Sequence, residues 1–307
     1  MSTHSQALRD RKDFIGFEAS SGDEIRFLLS HSAVVKARGR RGPRPLAGKT
    51  VALIFNKSST RTRVSFETAI VQLGGHPIYL AQRDLQLGRG ETVADTGRVL
   101  ERYVDAVVIR TYSHDEVLDL AKSTRVPVIN GLTDYNHPCQ ILADLLTVQE
   151  VKGRIDGLKI AFVGDFNNVA NTWAVACEKL GIAFSAGCPE GYGPGEAVRR
   201  LAPSMAVSAD PRAAVAGADV VYADTWVSMG QEEEKEKRLS IFKPFQVNGA
   251  LMAAAKPDAI FLHCLPAHRE EEVTGEVMDG PRSHVWQEAE NRLHVQKALL
   301  ELLMGEG

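Results

Sequence analysis

Lys57-Ser58-Ser59-Thr60-Arg61-Thr62-Arg63, followed by Val64-Ser65-Phe66-Glu67, is the stretch on which the reading of this chain turns. Just upstream, Thr50-Val51-Ala52-Leu53-Ile54-Phe55 is a short apolar run, expected as a buried strand. Downstream, Phe66, Ala69, Ile70 and Leu73 recur at helical spacing until Gly74-Gly75. Hydroxyls and arginines therefore gather where a strand hands over to a helix. A helix N-terminus presents unpaired N–H groups and a partial positive charge, which suits an anion. Arginine adds a planar fork matched to phosphate oxygens. The plainer reading is a helix cap beside an exposed cationic turn. One serine suffices for a cap, and arginines in the first turn oppose the helix dipole, so phosphate binding is the better reading.

The neighbouring segments place this turn in a sheet. Gly42-Pro43-Arg44-Pro45-Leu46-Ala47-Gly48-Lys49-Thr50 nearly spells a P-loop, but the glycine spacing is one residue too long. The strand also follows the motif where it should precede it, so a nucleoside-triphosphate site is rejected. A helix is expected within residues 14–37, started by Ser20-Ser21-Gly22-Asp23-Glu24. Strands are expected at residues 77–80, 106–110 and 126–130, and helices at 95–103 and 116–122. The polar, glycine-containing residues 82–91, with Gln86 among them, are expected to form a mobile loop. Alternating strands and helices imply a parallel sheet with helices on both faces, with ligands beyond the carboxyl ends of the strands. Residues 59–63, Arg110 and the segment after Asn130 all fall at that edge.

That last segment reads Thr133-Asp134-Tyr135-Asn136-His137-Pro138-Cys139-Gln140. Pro138 suits the first position of a helix, which puts His137 at the N-cap. A lone histidine is usually a satisfied structural one; its place at the ligand edge points to function. The helix is expected to run to about residue 151, with residues 152–157 as a junction.

A second α/β unit then begins. Lys159-Ile160-Ala161-Phe162-Val163-Gly164-Asp165 is an expected strand, and Asn167-Asn168-Val169-Ala170-Asn171 opens a helix ended by Gly181. A dinucleotide site is the alternative, making the chain a nicotinamide-dependent dehydrogenase, but of G-x-G-x-x-G only Gly164 is present. Asparagines in place of glycines suit a small zwitterion better than a pyrophosphate. Further strands are expected at residues 183–187, 205–208, 219–223 and 259–262. Asp224 ends one of them. The mixed charges of residues 232–238 read as a solvated face. His263, Cys264 and His268 invite a metal reading, but adjacent residues on an extended chain point in opposite directions, so no metal site is expected.

Composition narrows the partners. Hydrophobic residues make up 44% and charged residues 24% of the 307-residue chain, within the globular range. A net charge of -3 gives no case for nucleic acid. The basic cluster Lys36, Arg38, Arg40, Arg41 and Arg44 reads as a solvated loop. Cys139, Cys177, Cys188 and Cys264 form no C-x-x-C pair, which suggests free thiols in a reducing compartment. With no apolar signal segment at the N-terminus and no run of membrane-spanning length, a cytoplasmic location away from membranes is expected. No tandem repeat is present.

Ser59-Thr60-Arg61-Thr62-Arg63 with Ser65-Phe66-Glu67 resembles the carbamoyl-phosphate signature of the aspartate/ornithine carbamoyltransferases. His137-Pro138-Cys139-Gln140, His263-Cys264-Leu265-Pro266 and Glu290-Asn291-Arg292 resemble further signatures in the same order. Asp224 with Ser228-Met229-Gly230 resembles the loop that separates the ornithine branch from the aspartate branch. The likeness runs from about residue 12 to residue 303. It departs at Phe166 and Glu270, where the family tends to glycine, and at Val285-Trp286.

The resemblance implies two αβα domains, each with a mainly parallel sheet flanked by helices. Residues 1–150 would bind carbamoyl phosphate and residues 151–287 ornithine, with residues 288–307 packing back onto the first domain. Contacts to carbamoyl phosphate are implied for Ser59, Thr60, Arg61, Thr62, Gln86 and Arg110. His137, Gln140, Cys264, Leu265 and Arg292 complete that set. Asn168, Asp224, Ser228 and the Met229 backbone are implied to hold ornithine, while Thr62, Arg110, His137 and Cys264 carry the catalysis. The implied reaction is attack of the δ-amine on the carbamoyl carbonyl, in arginine biosynthesis or the arginine deiminase pathway. No metal or organic cofactor is implied, because carbamoyl phosphate is already activated. Domain closure is expected to desolvate the amine. A homotrimer, or a multiple of trimers, is implied, with Gln86 reaching a neighbouring subunit's site. A catalytically inactive relative is the remaining class, and the intact signatures argue against it.

Overall fold

Val51, Ala52, Leu53, Ile54 and Phe55 are all buried, so the first strand is covered on both faces, as strands of a parallel sheet must be. In the computed structural model, which describes residues 10–86, 90–227 and 232–305, that strand is β1 (Thr50–Phe55). Two compact units follow from the contacts: residues 1–146 with 290–307, and residues 147–289.

In the first unit, α1 (Gly22–Arg38) starts with a capping box between Ser21 and Glu24. After β1 come α2 (Thr60–Gln72), β2 (His76–Ala81), α3 (Val93–Leu100), β3 (Ala106–Arg110), α4 (His114–Ser123), β4 (Val128–Leu132) and α5 (Pro138–Lys152), which belongs to the second unit from Thr147 onward. The sheet order is β2-β1-β3-β4, every pair parallel. Ala52, Ile54, Val107 and Ile109 on one face pack with Val117 and Leu120 of α4. The order reverses between β1 and β3, the place where such sheets open a ligand crevice beyond the strand ends.

The second unit holds β5 (Lys159–Val163), α6 (Asn168–Leu180), β6 (Ala183–Gly187), α7 (Glu196–Leu201), β7 (Ala206–Ser208), α8 (Pro211–Val215) and β8 (Val220–Ala223). Then come α9 (Lys235–Phe242), α10 (Gly249–Met252), β9 (Ile260–His263) and α11 (Gly275–Met278). Its sheet runs β7-β6-β5-β8-β9, again all parallel. Ala161, Val163, Val221 and Phe261 pack with Val247, Leu251 and Met252 on one side, while on the other Phe162 stacks on Tyr222 and Trp173 meets Tyr222 edge-to-face. Here the reversal lies between β5 and β8. The last helix, α12 (Val285–Met304), begins in the second unit and belongs to the first from Glu290 onward.

Three expectations need correction. The strand expected at residues 126–130 lies at Val128–Leu132, because Val128 pairs with Val107 and the register shifts at Arg110. The helix expected at residues 95–103 is Val93–Leu100, capped by Thr92. The basic cluster is not a loop throughout: Lys36 and Arg38 close the last turn of α1, where cations complement the helix dipole. There Lys36 donates to Asn291 and Arg38 to Glu301, both on α12.

Candidate active site

The turn between β1 and α2 is built by its own serine and threonine. Ser59 is the N-cap of α2, and its hydroxyl accepts the Thr62 N–H at 3.2 Å. Thr60 is exposed in the same turn and Thr62 is buried. The two arginines part ways. Arg63 pairs with Glu67 at 2.9 Å and lies 3.5 Å from the centroid of the Tyr79 ring, so it serves the surface of this unit. Arg61 is half-buried and is one of the cations that act on His137.

Around that turn the first unit gathers residues from distant parts of the sequence. Arg110, at the end of β3, donates through Nε to the Lys57 carbonyl at 3.2 Å. Lys57 is buried and ion-pairs with Asp134 at 2.7 Å, its ammonium 4.9 Å from the Tyr112 ring centroid. Three loop segments at the carboxyl edge of the sheet are thereby tied together. His137 caps α5, its carbonyl accepting the N–H groups of Gln140 and Ile141. The loop before it is held by buried Asn136, which accepts from Asn130 at 2.5 Å and from Thr133 at 3.2 Å. Arg292 of α12 donates to Gln140 Oε1 at 2.6 Å and to Thr62 Oγ1 at 2.8 Å. Gln140 in turn donates to buried Asp144 at 2.8 Å.

His137 is held neutral. Burial is the chief cause of its strongly lowered pKa, and Arg292, Arg110, Lys57 and Arg61 add to it. A neutral imidazole surrounded by cations at a helix N-terminus suits an anionic ligand whose other end needs a hydrogen-bond partner. Gln86 is exposed on the loop after β2 and takes no part in these hydrogen bonds.

In the second unit the turn after β5 needs glycine. Gly164 has φ +130°, and the Trp226 indole lies 3.4 Å from where a Cβ would stand. Phe166, where the resemblance calls for glycine, keeps a negative φ and packs in the core against Phe162 and Phe184. Asn167 is the N-cap of α6, its Oδ1 accepting the N–H groups of Val169 and Ala170, and its Nδ2 donates to Asp224 at 2.6 Å. Asn168 is the first residue of α6. Asp224 follows β8 and receives the Cys264 thiol at 3.0 Å. Leu265 sits at φ 59°, a costly conformation for leucine, with its N–H donated to His263 Nδ1 at 2.9 Å. Ser228 and Met229 lie outside the described residues.

Two more expectations are corrected here. β9 ends at His263, so Cys264 escapes the strand alternation, and ligand atoms of Asp224, His263 and Cys264 gather within 4.8 Å of one another. The opposed directions assumed for His263 and Cys264 therefore do not hold, although both imidazole nitrogens face protein groups, Nε2 lying 3.2 Å from Glu272. The run 232–238 is not wholly solvated either: Arg238 is 4% exposed and ion-paired with Asp165. Lys57, Asn167 and Arg238 were not singled out as site neighbours; Lys57, next to the serine-rich turn, and Asn167, beside Asn168, carried a local sequence signal, and Arg238 did not.

Comparison with known proteins agrees with this anatomy. The model of the aspartate/ornithine carbamoyltransferase carbamoyl-P binding domain matches residues 12–150, and that of the Asp/Orn binding domain matches residues 156–303. The chain is 54% identical to the ornithine carbamoyltransferase of Anoxybacillus flavithermus, covering 95% of this chain and 96% of that one. It is 53% identical to the anabolic ornithine carbamoyltransferase of Pyrococcus furiosus, with 96% of each covered. A solved structure of ornithine carbamoyltransferase from Pyrococcus furiosus superposes with a TM-score of 0.92 at 52% identity, covering 95% of this chain and 97% of that one. With both domain models matched in order along a common fold, this chain belongs to the aspartate/ornithine carbamoyltransferase family.

Proposed function

We propose that this chain transfers the carbamoyl group of carbamoyl phosphate to the δ-amine of L-ornithine, giving L-citrulline and phosphate. The observation that carries the reading is the cluster around neutral His137, bounded by the Ser59-capped helix turn, Arg61, Arg110 and Arg292. Ser59, Thr60, Arg61 and Thr62 hold the phosphate. Arg110 and His137 polarise the carbamoyl oxygen as it becomes an oxyanion, with Gln140 on the carbamoyl group and Arg292 beside it. Gln86 adds a contact from a neighbouring subunit of a homotrimer. In the second unit Asp224 takes the α-ammonium of ornithine, assisted by Asn168, Ser228 and the Met229 backbone. Cys264 and Leu265 lie at the attacking amine. No step in this scheme calls for a metal or an organic cofactor.

The amine must react as a free base. With a lysine-like pKa of about 10.4, about one molecule in a thousand is free near pH 7.4, a handicap of roughly 4 kcal/mol that desolvation at the site must offset. Four free cysteines support a reducing, cytoplasmic setting. One of the relatives is named as anabolic, which supports a biosynthetic direction.

The test is initial rate against a panel of amines at fixed carbamoyl phosphate. Ornithine is expected to outperform aspartate, putrescine and N-acetylornithine by at least about a hundredfold. Preference for aspartate would move the chain to the other branch of the family, and preference for putrescine or N-acetylornithine would overturn the ornithine assignment.

A further inference from the structure

Arg238 is the most deeply buried residue in a stretch of charges, and its contacts converge on the second unit's candidate site. Its Nε donates to the Trp226 carbonyl at 2.6 Å, and its Nη2 ion-pairs with Asp165. The guanidinium lies 5.2 Å from the ring centroids of both Tyr192 and Phe242. Glu234 approaches Nη1 only at 3.9 Å and is largely exposed. Glu234 and Phe242 belong to Arg238's own element, and the other three contacts each come from a different segment. Asp165 stands in the turn after β5, two residues before Asn167. Trp226 stands two residues after Asp224. The carbonyl of Tyr192 accepts the Phe166 N–H at 3.1 Å, so the ring under the guanidinium belongs to a loop that also grips the β5 turn.

We propose that Arg238 is a positioning residue for the amino-acid substrate, one guanidinium holding the β5 turn and the β8 exit in register so that Asn167 and Asp224 meet. The 2.6 Å bond from Asn167 to Asp224 is the joint that this register protects. Arg238 also neutralises Asp165, whose carboxyl is driven up by burial and by the nearby charge of Asp224, and pulled down by Arg238. Without the arginine, burial and the charge of Asp224 act on the Asp165 carboxyl unopposed, leaving an unpaired buried polar group two residues before Asn167. A planar fork is suited to hold a carbonyl and a carboxylate at once, and lysine is not.

This inference rests on the ornithine reading of the second unit, and the experiment separates the two. Full-length wild type, Arg238→Met, Arg238→Lys and the double variant Arg238→Met/Asp165→Asn are compared. Ornithine is varied at saturating carbamoyl phosphate, then the reverse, with melting curves for each protein. Arg238→Met is expected to raise KM for ornithine at least about tenfold and to leave KM for carbamoyl phosphate within about twofold. The double variant should recover only the part of that loss that comes from the orphaned carboxyl, because the clamp on the two segments is still missing. Arg238→Lys, which keeps the charge and the stem if the methionine variant does not fold, should lie between. An unchanged KM for ornithine in a folded variant, an equal loss toward both substrates, or full recovery in the double variant would overturn the positioning role. Absence of citrulline from the wild type would instead overturn the functional reading.

Discussion

Arg292 donates to the hydroxyl of Thr62 at 2.8 Å across 230 positions of sequence. The last helix thereby completes a site begun by the first strand and helix of the sheet. The same guanidinium reaches Gln140, so the α2 turn, the α5 start and α12 share one buried cation. Removing it would take a charged donor from Thr62 and Gln140 and positive charge from beside His137.

Arg292→Met is accordingly expected to cut kcat by about a hundredfold or more, the scale for losing a charge-stabilising donor, and to lower the melting temperature. Steady-state kinetics and a thermal melt check both. Near-normal turnover would remove Arg292 from the site.

Arg61 lies in the helix turn that caps with Ser59, and its partner Arg63 is occupied by Glu67 and Tyr79. Arg61→Ala is expected to lose about a hundredfold in turnover, whereas Arg63→Ala should lose little. Arg61→Lys should restore only part, because the bidentate fork is gone. Equal effects at the two positions would contradict the division of labour between them.

Asp224→Asn keeps the shape of the β8 exit and removes its charge. A charge-assisted hydrogen bond of about 1.5–3 kcal/mol is at stake, so kcat/KM for ornithine should fall about ten- to a hundredfold. Carbamoyl-phosphate binding, read by calorimetry, should change little. A matching loss of carbamoyl-phosphate affinity would mean that Asp224 serves the whole site and not the amino acid alone.

Acid should destabilise the first unit through its histidines. His114, His137 and His294 all have lowered pKa values, caused first by burial. Folding therefore favours their neutral forms. The unfolded chain takes up protons near pH 6.5 while the folded chain does not, so stability is intact above that pH and is lost as pH falls below it. The loss is at most about 1.4 kcal/mol per pH unit for each histidine, until its folded-state pKa is reached. His294→Gln removes one such group without touching the site. Urea midpoints between pH 5 and 7.5 should show the variant gaining on the wild type as pH falls; parallel curves would show that His294 does not titrate differently in the folded chain.

The sequence made the framework readable wherever the signal was local. A serine cap before a helical pattern, a proline after His137, and asparagines after a buried strand each stand within a few residues of the structure they specify. What escaped were pairings over long separations. Nothing near Arg238 announces Asp165, 73 positions away, and nothing near Lys57 announces Asp134, 77 positions away. The strand Val128–Leu132 was displaced because Val126, Val128 and Ile129 form one apolar run whose register is set by β3. Glu270 is a different case. The resemblance calls for glycine there, and the residue indeed adopts φ 68°, while its carboxylate accepts the Gly275 N–H at 2.8 Å. A glycine preference marked the backbone demand, and the side chain's own hydrogen bond helps to hold glutamate in it.

Carbonyl attack at the His137 cluster is tested most directly by following the oxygen that bridges carbon and phosphorus. Carbamoyl phosphate labelled with heavy oxygen at that bridge is turned over by the wild-type chain with ornithine, and both products are analysed by mass. Attack by the amine on the carbonyl breaks the carbon–oxygen bond, so one citrulline should form per phosphate and the label should leave in the phosphate. Phosphate released without citrulline, or phosphate free of label, would contradict carbamoyl transfer at this site.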